Sequence, residues 1–210
     1  MDIIDSIIFD MDGTLWNALE IYTEAWNRSL RENGVQRILT APEIADMTGW
    51  EKKDILSHLL PYHPEAIHNK VDQLVAEYST SLIPAMKGQL YPGVDAGLSR
   101  LSERYPLFIL SNCDAGVIDL FMDATGIRSL IVDYVAHGET GFSKHENMRR
   151  LMDMHRLHSP IYVGDTHRDS EESEKAGIPF IFLTYGFGQS TKYHKKFDSF
   201  EEFSTYYSSL

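Results

Sequence analysis

Residues 3–15, IIDSIIFDMDGTL, decide the fold. The apolar run 3–9 (IIDSIIF) stops abruptly at Asp10-Met11-Asp12-Gly13. Its length, its isoleucines and the Asp-Gly stop predict a buried strand that runs into a turn. Similar runs recur downstream. Residues 106–110 (PLFIL) end in Ser111-Asn112, and residues 130–135 (LIVDYV) end near His137-Gly138. Residues 160–163 (PIYV) end in Gly164-Asp165, and residues 179–183 (PFIFL) in Thr184-Tyr185-Gly186.

Helical patterns separate these runs. Residues 93–104 space Val94, Leu98 and Leu101 along one face. Residues 114–125 do so with Val117, Leu120, Phe121 and Ala124, before a C-capping Gly126. Residues 145–155 repeat the pattern with Met148, Leu151, Met152 and His155. Strands alternating with such helices predict right-handed crossovers and a mostly parallel, Rossmann-like α/β sheet. Its ligand crevice would lie beyond the carboxyl ends of the strands. The last helix is expected over 198–210, with Asp198 or Ser199 as cap and Phe200, Phe203 and Tyr207 on one face.

Residues 16–88 break the rhythm. They read as helices at 19–32, 42–47, 52–60 and 65–83 with no clear strand, punctuated by Asn33-Gly34, Gly49, Pro61 and Pro64. Such an insertion is too long for a connection and suits a small helical domain. The expected organisation is therefore an α/β core, residues 1–15 and 89–210, interrupted by an inserted helical domain at 16–88.

Composition narrows the function. Of 210 residues, 43% are hydrophobic and 24% charged, as in an ordinary globular protein. A formal net charge of −12 gives no basic face for nucleic acid and serves solubility. Cys113 is the only cysteine, which excludes a disulfide framework and a cysteine zinc site within the chain. The N-terminus, with Asp2, Asp5 and Asp10, has neither the basic start nor the apolar length of a signal peptide or membrane anchor. A cytoplasmic protein is expected.

Four signals stand at predicted strand ends or in the loops after them: Asp10-Met11-Asp12-Gly13-Thr14, Ser111-Asn112, Lys144, and Gly164-Asp165 with Asp169. Taken singly each has an ordinary explanation as a turn, a cap or a solvated lysine. Their conjunction, in order and at one edge of the sheet, does not. Together they resemble the four motifs of the haloacid dehalogenase superfamily, over the whole chain. The helical insertion is similar to the cap of the phosphoglycolate phosphatase-like and β-phosphoglucomutase-like subgroup.

The resemblance implies a Mg²⁺-dependent phosphatase acting on a small phosphorylated metabolite. Asp10 would be the nucleophile and form an aspartyl phosphate, while Asp12 would protonate the leaving oxygen and then activate water. Mg²⁺ would be held by Asp10, the Asp12 backbone carbonyl and Asp165, with Asp169 binding directly or through water. Ser111 and the Asn112 amide would bind the phosphoryl oxygens, and Lys144 would offset the negative charge. Gly49-Trp50-Glu51-Lys52 resembles the subgroup's specificity loop, where Lys52 or Lys53 would meet the far end of the substrate; both also read as solvated lysines.

Two departures bear on the reaction. Asp12 is present, unlike in the dehalogenase and phosphonatase branches. Mutases of the subgroup usually carry a histidine where Tyr22 stands, which favours hydrolysis. A phosphomutase and a catalytically idle binding protein remain the alternatives. Other chemistries fail on spacing. Six residues after Cys113 comes Asp119, not the arginine of a cysteine phosphatase, and no P-loop is present. Gly186-Phe187-Gly188 lacks the third glycine of a dinucleotide fingerprint, and His58, His63 and His68 show no metal-ligand spacing.

Overall fold

The structure, a computed structural model, describes residues 4–210; Asp2 and Ile3, used in the sequence reading, lie outside the described residues. The chain opens with β1 (Ser6–Phe9), β2 (Trp16–Asn17) and α1 (Leu19–Glu32). The helices α2 (Ala41–Met47), α3 (Lys52–Leu59) and α4 (Glu65–Met86) follow, then β3 (Gln89–Leu90), α5 (Val94–Ser102), β4 (Leu107–Ser111) and α6 (Val117–Thr125). After a 3₁₀ turn at Arg128–Leu130 come β5 (Asp133–Ala136), α7 (His137–Thr140), α8 (Lys144–His155) and β6 (Pro160–Gly164). The chain closes with α9 (His167–Ala176), β7 (Phe180–Leu183), β8 (Lys195–Phe197) and α10 (Phe200–Ser208).

Six strands form a sheet in the order β5-β4-β1-β6-β7-β8, and every pairing in it is parallel. Alternation along the strands divides the core between the two faces. Ile7, Phe9, Leu107, Ile109, Ile161, Val163, Ile181 and Leu183 join α5, α6 and α10 in one buried cluster. Ile8, Phe108, Leu110, Tyr162, Phe180 and Phe182 meet Met148 and Leu151 of α8 in another. Because β1 lies between β4 and β6, the strand order reverses at β1 and opens a crevice at its carboxyl end.

The helices α1–α4 build a separate apolar cluster from Trp26, Leu30, Ile44, Met47, Leu56, Val71 and Val75, among others. This insertion is not purely helical, as the sequence reading expected. Trp16–Asn17 pairs antiparallel with Gln89–Leu90, so the two chain crossings run side by side. Two-residue strands are too short to show any alternation. The strand expected at 130–135 begins only at Asp133, because Arg128–Leu130 coils into the 3₁₀ turn. The helix expected from 114 starts at Val117, after Gly116 turns the chain with φ 78°. Conversely, α4 continues through Pro84 to Met86, although the proline removes one N–H donor from the helix's last turn. The edge strand β8 carries Lys195 and Lys196, as exposed edges often do. Ser199 caps α10 by accepting the Glu202 backbone N–H, and Phe200, Phe203 and Tyr207 are buried together. No described helix is long and apolar enough to cross a membrane.

Candidate active site

Asp10 follows β1 directly, and its backbone N–H still donates to Val163 O of β6 at 2.8 Å. The chain then turns tightly: Leu15 N–H donates to Met11 O at 2.9 Å, and Gly13 takes φ 85°. A Cβ at Gly13 would lie 2.3 Å from Asp165 Oδ2, so the turn needs glycine for space as well as conformation. Ser111 closes β4, Asp165 follows β6, and Asp169 sits in the first turn of α9. All of these side chains are buried at one edge of the sheet, where the strand order reverses.

Lys144 opens α8, the end of a helix least favourable for a cation. Two carboxylates compensate: its Nζ donates to Asp10 Oδ1 at 2.8 Å and to Asp169 Oδ1 at 2.7 Å. Burial would discharge this lysine, but the two anions outweigh it and hold its pKa above the ordinary value. Asp169 is saturated. Its Oδ1 also accepts from Tyr162 Oη at 3.1 Å, and its Oδ2 accepts from the Thr166 backbone at 3.0 Å and the Thr166 hydroxyl at 2.6 Å. Burial raises the Asp169 carboxyl, yet Lys144 and Thr166 together bring it below its usual value.

Asp165 has no cation of its own. Its Oδ1 accepts from Thr14 Oγ1 at 3.1 Å and its Oδ2 from the Phe187 backbone N–H at 2.7 Å. Burial, then the charges of Asp169 and Asp10, push its carboxyl far above the usual range. Burial likewise lifts Asp10 to about 7, against the pull of Lys144. Asp10, Asp165 and Asp169 bring carboxylate oxygens within 4.8 Å of one another. An oxygen-only donor set, buried and short of positive charge, fits a hard divalent cation.

Asp12 is set differently. Tyr22 Oη donates to its Oδ2 at 3.2 Å, and its Oδ1 is buried with no hydrogen-bond partner. Burial and the neighbouring Asp10 charge lift its carboxyl to about 8. Asp10, Asp12, Ser111, Asn112 and Lys144 all face a cavity of about 100 Å³, closed on the far side by the helical insertion. Asn112 Nδ2 donates to Gly49 O at 3.1 Å, which ties the α2–α3 loop to the end of β4. Lys52 reaches the cavity, while Lys53 is exposed and does not line it. Lys52 Nζ is committed to Asp114 Oδ2 at 2.5 Å, with Asp72 Oδ1 at 3.4 Å.

The structure thus gathers Asp10, Asp12, Ser111, Asn112, Lys144, Gly49 and Lys52 around one cavity, with Asp165 and Asp169 behind them, and leaves Lys53 outside. Sequence reasoning quoted Thr14 in the first motif without giving it a role, and it missed Tyr162, Thr166, Asp114 and the Phe187 amide. Gly186-Phe187-Gly188, set aside as a failed dinucleotide fingerprint, wraps Asp165 instead. Cys113 lines the cavity too, and burial raises its thiol so that it stays protonated.

A family model described as haloacid dehalogenase-like hydrolase matches residues 7–183. A phosphoglycolate phosphatase from Synechococcus elongatus is 29% identical over 189 residues, covering 88% of this chain and 85% of its own. Another from Rhodospirillum rubrum is 24% identical over 199 residues, covering 88% and 81%. Among solved structures, a haloacid dehalogenase-like family hydrolase from Streptococcus pneumoniae superposes with a TM-score of 0.82 at 22% identity, covering 97% of this chain and 98% of its own. CbbY from Rhodobacter sphaeroides, in complex with phosphate, does so with a TM-score of 0.80 at 19% identity, covering 95% and 96%. These structures share the fold.

Proposed function

The chain belongs to the haloacid dehalogenase-like hydrolases, and from that premise we propose that it is a Mg²⁺-dependent phosphatase, hydrolysing a small phosphate monoester through an aspartyl phosphate on Asp10. One observation carries the reading: two carboxylates two residues apart are treated oppositely. Asp10 is gripped by Lys144, whereas Asp12, also lining the cavity, makes no ion pair and keeps one buried oxygen without a hydrogen-bond partner. That asymmetry suits a nucleophile and a separate proton carrier.

In this reading an Asp10 carboxylate oxygen attacks phosphorus and the bond to the leaving alcohol breaks. The leaving oxygen takes the proton of Asp12. Water then enters, gives a proton back to Asp12, and attacks phosphorus, breaking the bond to Asp10 and releasing inorganic phosphate. Ser111 and the Asn112 amide would orient the phosphoryl oxygens, and Lys144 would keep Asp10 aligned and offset charge. Asp169, with its lone pairs occupied, would position Lys144. Asp10, Asp165 and the Asp12 backbone carbonyl would hold Mg²⁺, with Asp169 on its outer side. When bound, the ion supplies charge stabilisation to the phosphoryl oxygens. Residues 16–88 act as a cap that shields the site from bulk water.

The test is to incubate the purified protein with Mg²⁺ and a panel of phosphate monoesters, following free phosphate and isomerised sugar together. Phosphate release without isomer formation is expected, because Tyr22 replaces the histidine usual in mutases. Asp10→Asn should reduce turnover by about a thousandfold or more while preserving the circular dichroism spectrum. Isomerisation of a hexose phosphate with little free phosphate would establish a mutase, and activity of Asp10→Asn above a tenth of wild type would remove the nucleophile.

A further inference from the structure

The chamber that would receive the leaving alcohol is lined by Trp26, Ile44, Met47, Ile55 and Val75 on the side of the helical insertion. Apart from Lys144, which is spent on Asp10 and Asp169, Lys52 is the one cation among the lining residues. It lies between two carboxylates, Asp114 and Asp72, so this trio carries a net negative charge. An incoming carboxylate or second phosphate would have to displace Asp114 and leave it without its partner. Relatives named phosphoglycolate phosphatase imply an acidic substrate for those proteins; this chamber is not arranged to receive one.

A second observation points to what it does receive. Ser79 lies in the interior of α4, 1% exposed, and lines the cavity. A buried helical serine ordinarily donates to the carbonyl four residues back, as Ser29 does to Ala25 O at 2.8 Å. Ser79 does not: its Oγ is buried without a hydrogen-bond partner. An unpaired hydroxyl in an apolar wall is costly unless a ligand group pairs with it.

Resting on the phosphatase reading, we infer that the substrate is the phosphate ester of a small, uncharged alcohol with an apolar body and a second hydroxyl that pairs with Ser79. Trp26, Ile44 and Val75 enclose the hydrocarbon, Ser79 recognises the hydroxyl, and the Asp72–Lys52–Asp114 trio rejects a second anion. Specificity then lies in the neutralised lysine as much as in the attractive contacts.

Propanediol phosphate, n-propyl phosphate and phosphoglycolate separate the elements of the proposal. The expected order of kcat/KM is propanediol phosphate, then propyl phosphate, then phosphoglycolate, with about tenfold or more between the first and last. Ser79→Ala should erase the advantage of the diol ester, about fivefold for one neutral hydrogen bond, while leaving propyl phosphate nearly unchanged. Asp114→Asn, which leaves Lys52 with Asp72 as its one carboxylate and removes the trio's net negative charge, should raise phosphoglycolate relative to the neutral esters. A wild-type preference for phosphoglycolate, or a Ser79→Ala variant that treats the two neutral esters as wild type does, overturns the inference. Binding to Asp10→Asn with Mg²⁺, read by calorimetry, reports the same order without turnover. If that order holds and no ester is hydrolysed by wild type, the phosphatase reading fails, and what stands is the chamber's preference for neutral diol esters as ligands. If no ester binds, or phosphoglycolate binds best, the inference fails.

Discussion

At Gly186 a Cβ would lie 2.3 Å from the Asp165 Cβ and 2.4 Å from its Oδ2, so only hydrogen fits there. The neighbouring Phe187 supplies a backbone donor to the same carboxylate. The loop after β7 therefore positions Asp165 by close approach and by one amide, without contributing any side-chain chemistry. Gly186→Ala should push Asp165 out of register and reduce activity by about 10- to 100-fold, the usual effect of disturbing a ligand's support. A titration with Mg²⁺ checks the cause, because the concentration for half-maximal activity should rise while the far-ultraviolet spectrum is unchanged. A fall in kcat with no change in Mg²⁺ requirement would place the defect elsewhere. The sequence reading passed over Gly186 for a plain reason: a glycine and a main-chain amide have no chemical signature until the fold shows what they touch. Asp10, Asp12, Lys144, Asp165 and Asp169 were legible through their conjunction and the family motifs it resembles, since each taken singly read as a turn, a cap or a solvated residue, and Lys144 and Asp169 stand at helix starts. Lys52 was legible as a cap residue but not as a neutralised one, since its partner Asp114 lies 62 residues away.

Among the elements, α8 must present Lys144 at a fixed place, and its first turn is fastened to α9. Glu172 of α9 accepts the His145 backbone N–H at 2.9 Å and His145 Nδ1 at 2.8 Å, and also takes Lys175 Nζ at 2.6 Å. Burial alone would raise the Glu172 carboxyl, but Lys175 and His145 outweigh it and bring it to about 2. A folded pKa below the unfolded value of 4.5 means stability that is complete above 4.5 and lost as pH falls toward 2. Glu172→Gln should therefore cost about 1–2 kcal/mol at neutral pH. Its deficit relative to wild type should shrink as pH is lowered toward about 3, measured by urea unfolding at each pH. A deficit that stays constant would assign the loss to packing. The elements themselves were readable to different depths. The runs in β1, β4, β6 and β7 announce buried parallel strands because both faces are apolar, and α1 shows its bounds through a full amphipathic period. Strands β2, β3 and β8 span two or three residues and have no period to show; pairing creates them.

For the molecule as a whole, the active-site edge holds more buried negative charge than its one lysine can balance. Asp10 and Asp165 both sit above their ordinary pKa because folding removes them from water beside other carboxylates. The metal-free fold therefore bears a strain that a divalent cation would relieve. Asp165 makes an isosteric test possible. In Asp165→Asn the amide oxygen can still accept the Phe187 N–H, while the amide nitrogen can only donate to Thr14 Oγ1, so the hydrogen bond that Thr14 now donates is reversed. The shape is kept, the charge is removed, and the Thr14 hydroxyl proton has to turn to another acceptor. Without metal, the variant should be more stable than wild type by about 1–3 kcal/mol at neutral pH. The sign follows from linkage: a carboxyl raised above 3.8 in the fold binds more protons folded than unfolded, so wild type loses stability as pH climbs above 3.8, and the variant loses less. With Mg²⁺ in excess the order should reverse. Binding to the folded state at a thousand times the dissociation constant adds about 4.1 kcal/mol to wild type, and the variant, lacking a ligand, gains much less. Urea unfolding of both proteins, with chelator and with Mg²⁺, reads all four states. An Asp165→Asn protein less stable than wild type under chelator would mean that Asp165 supports the fold through its hydrogen bonds. A variant that gains as much from Mg²⁺ as wild type would remove Asp165 from the metal site.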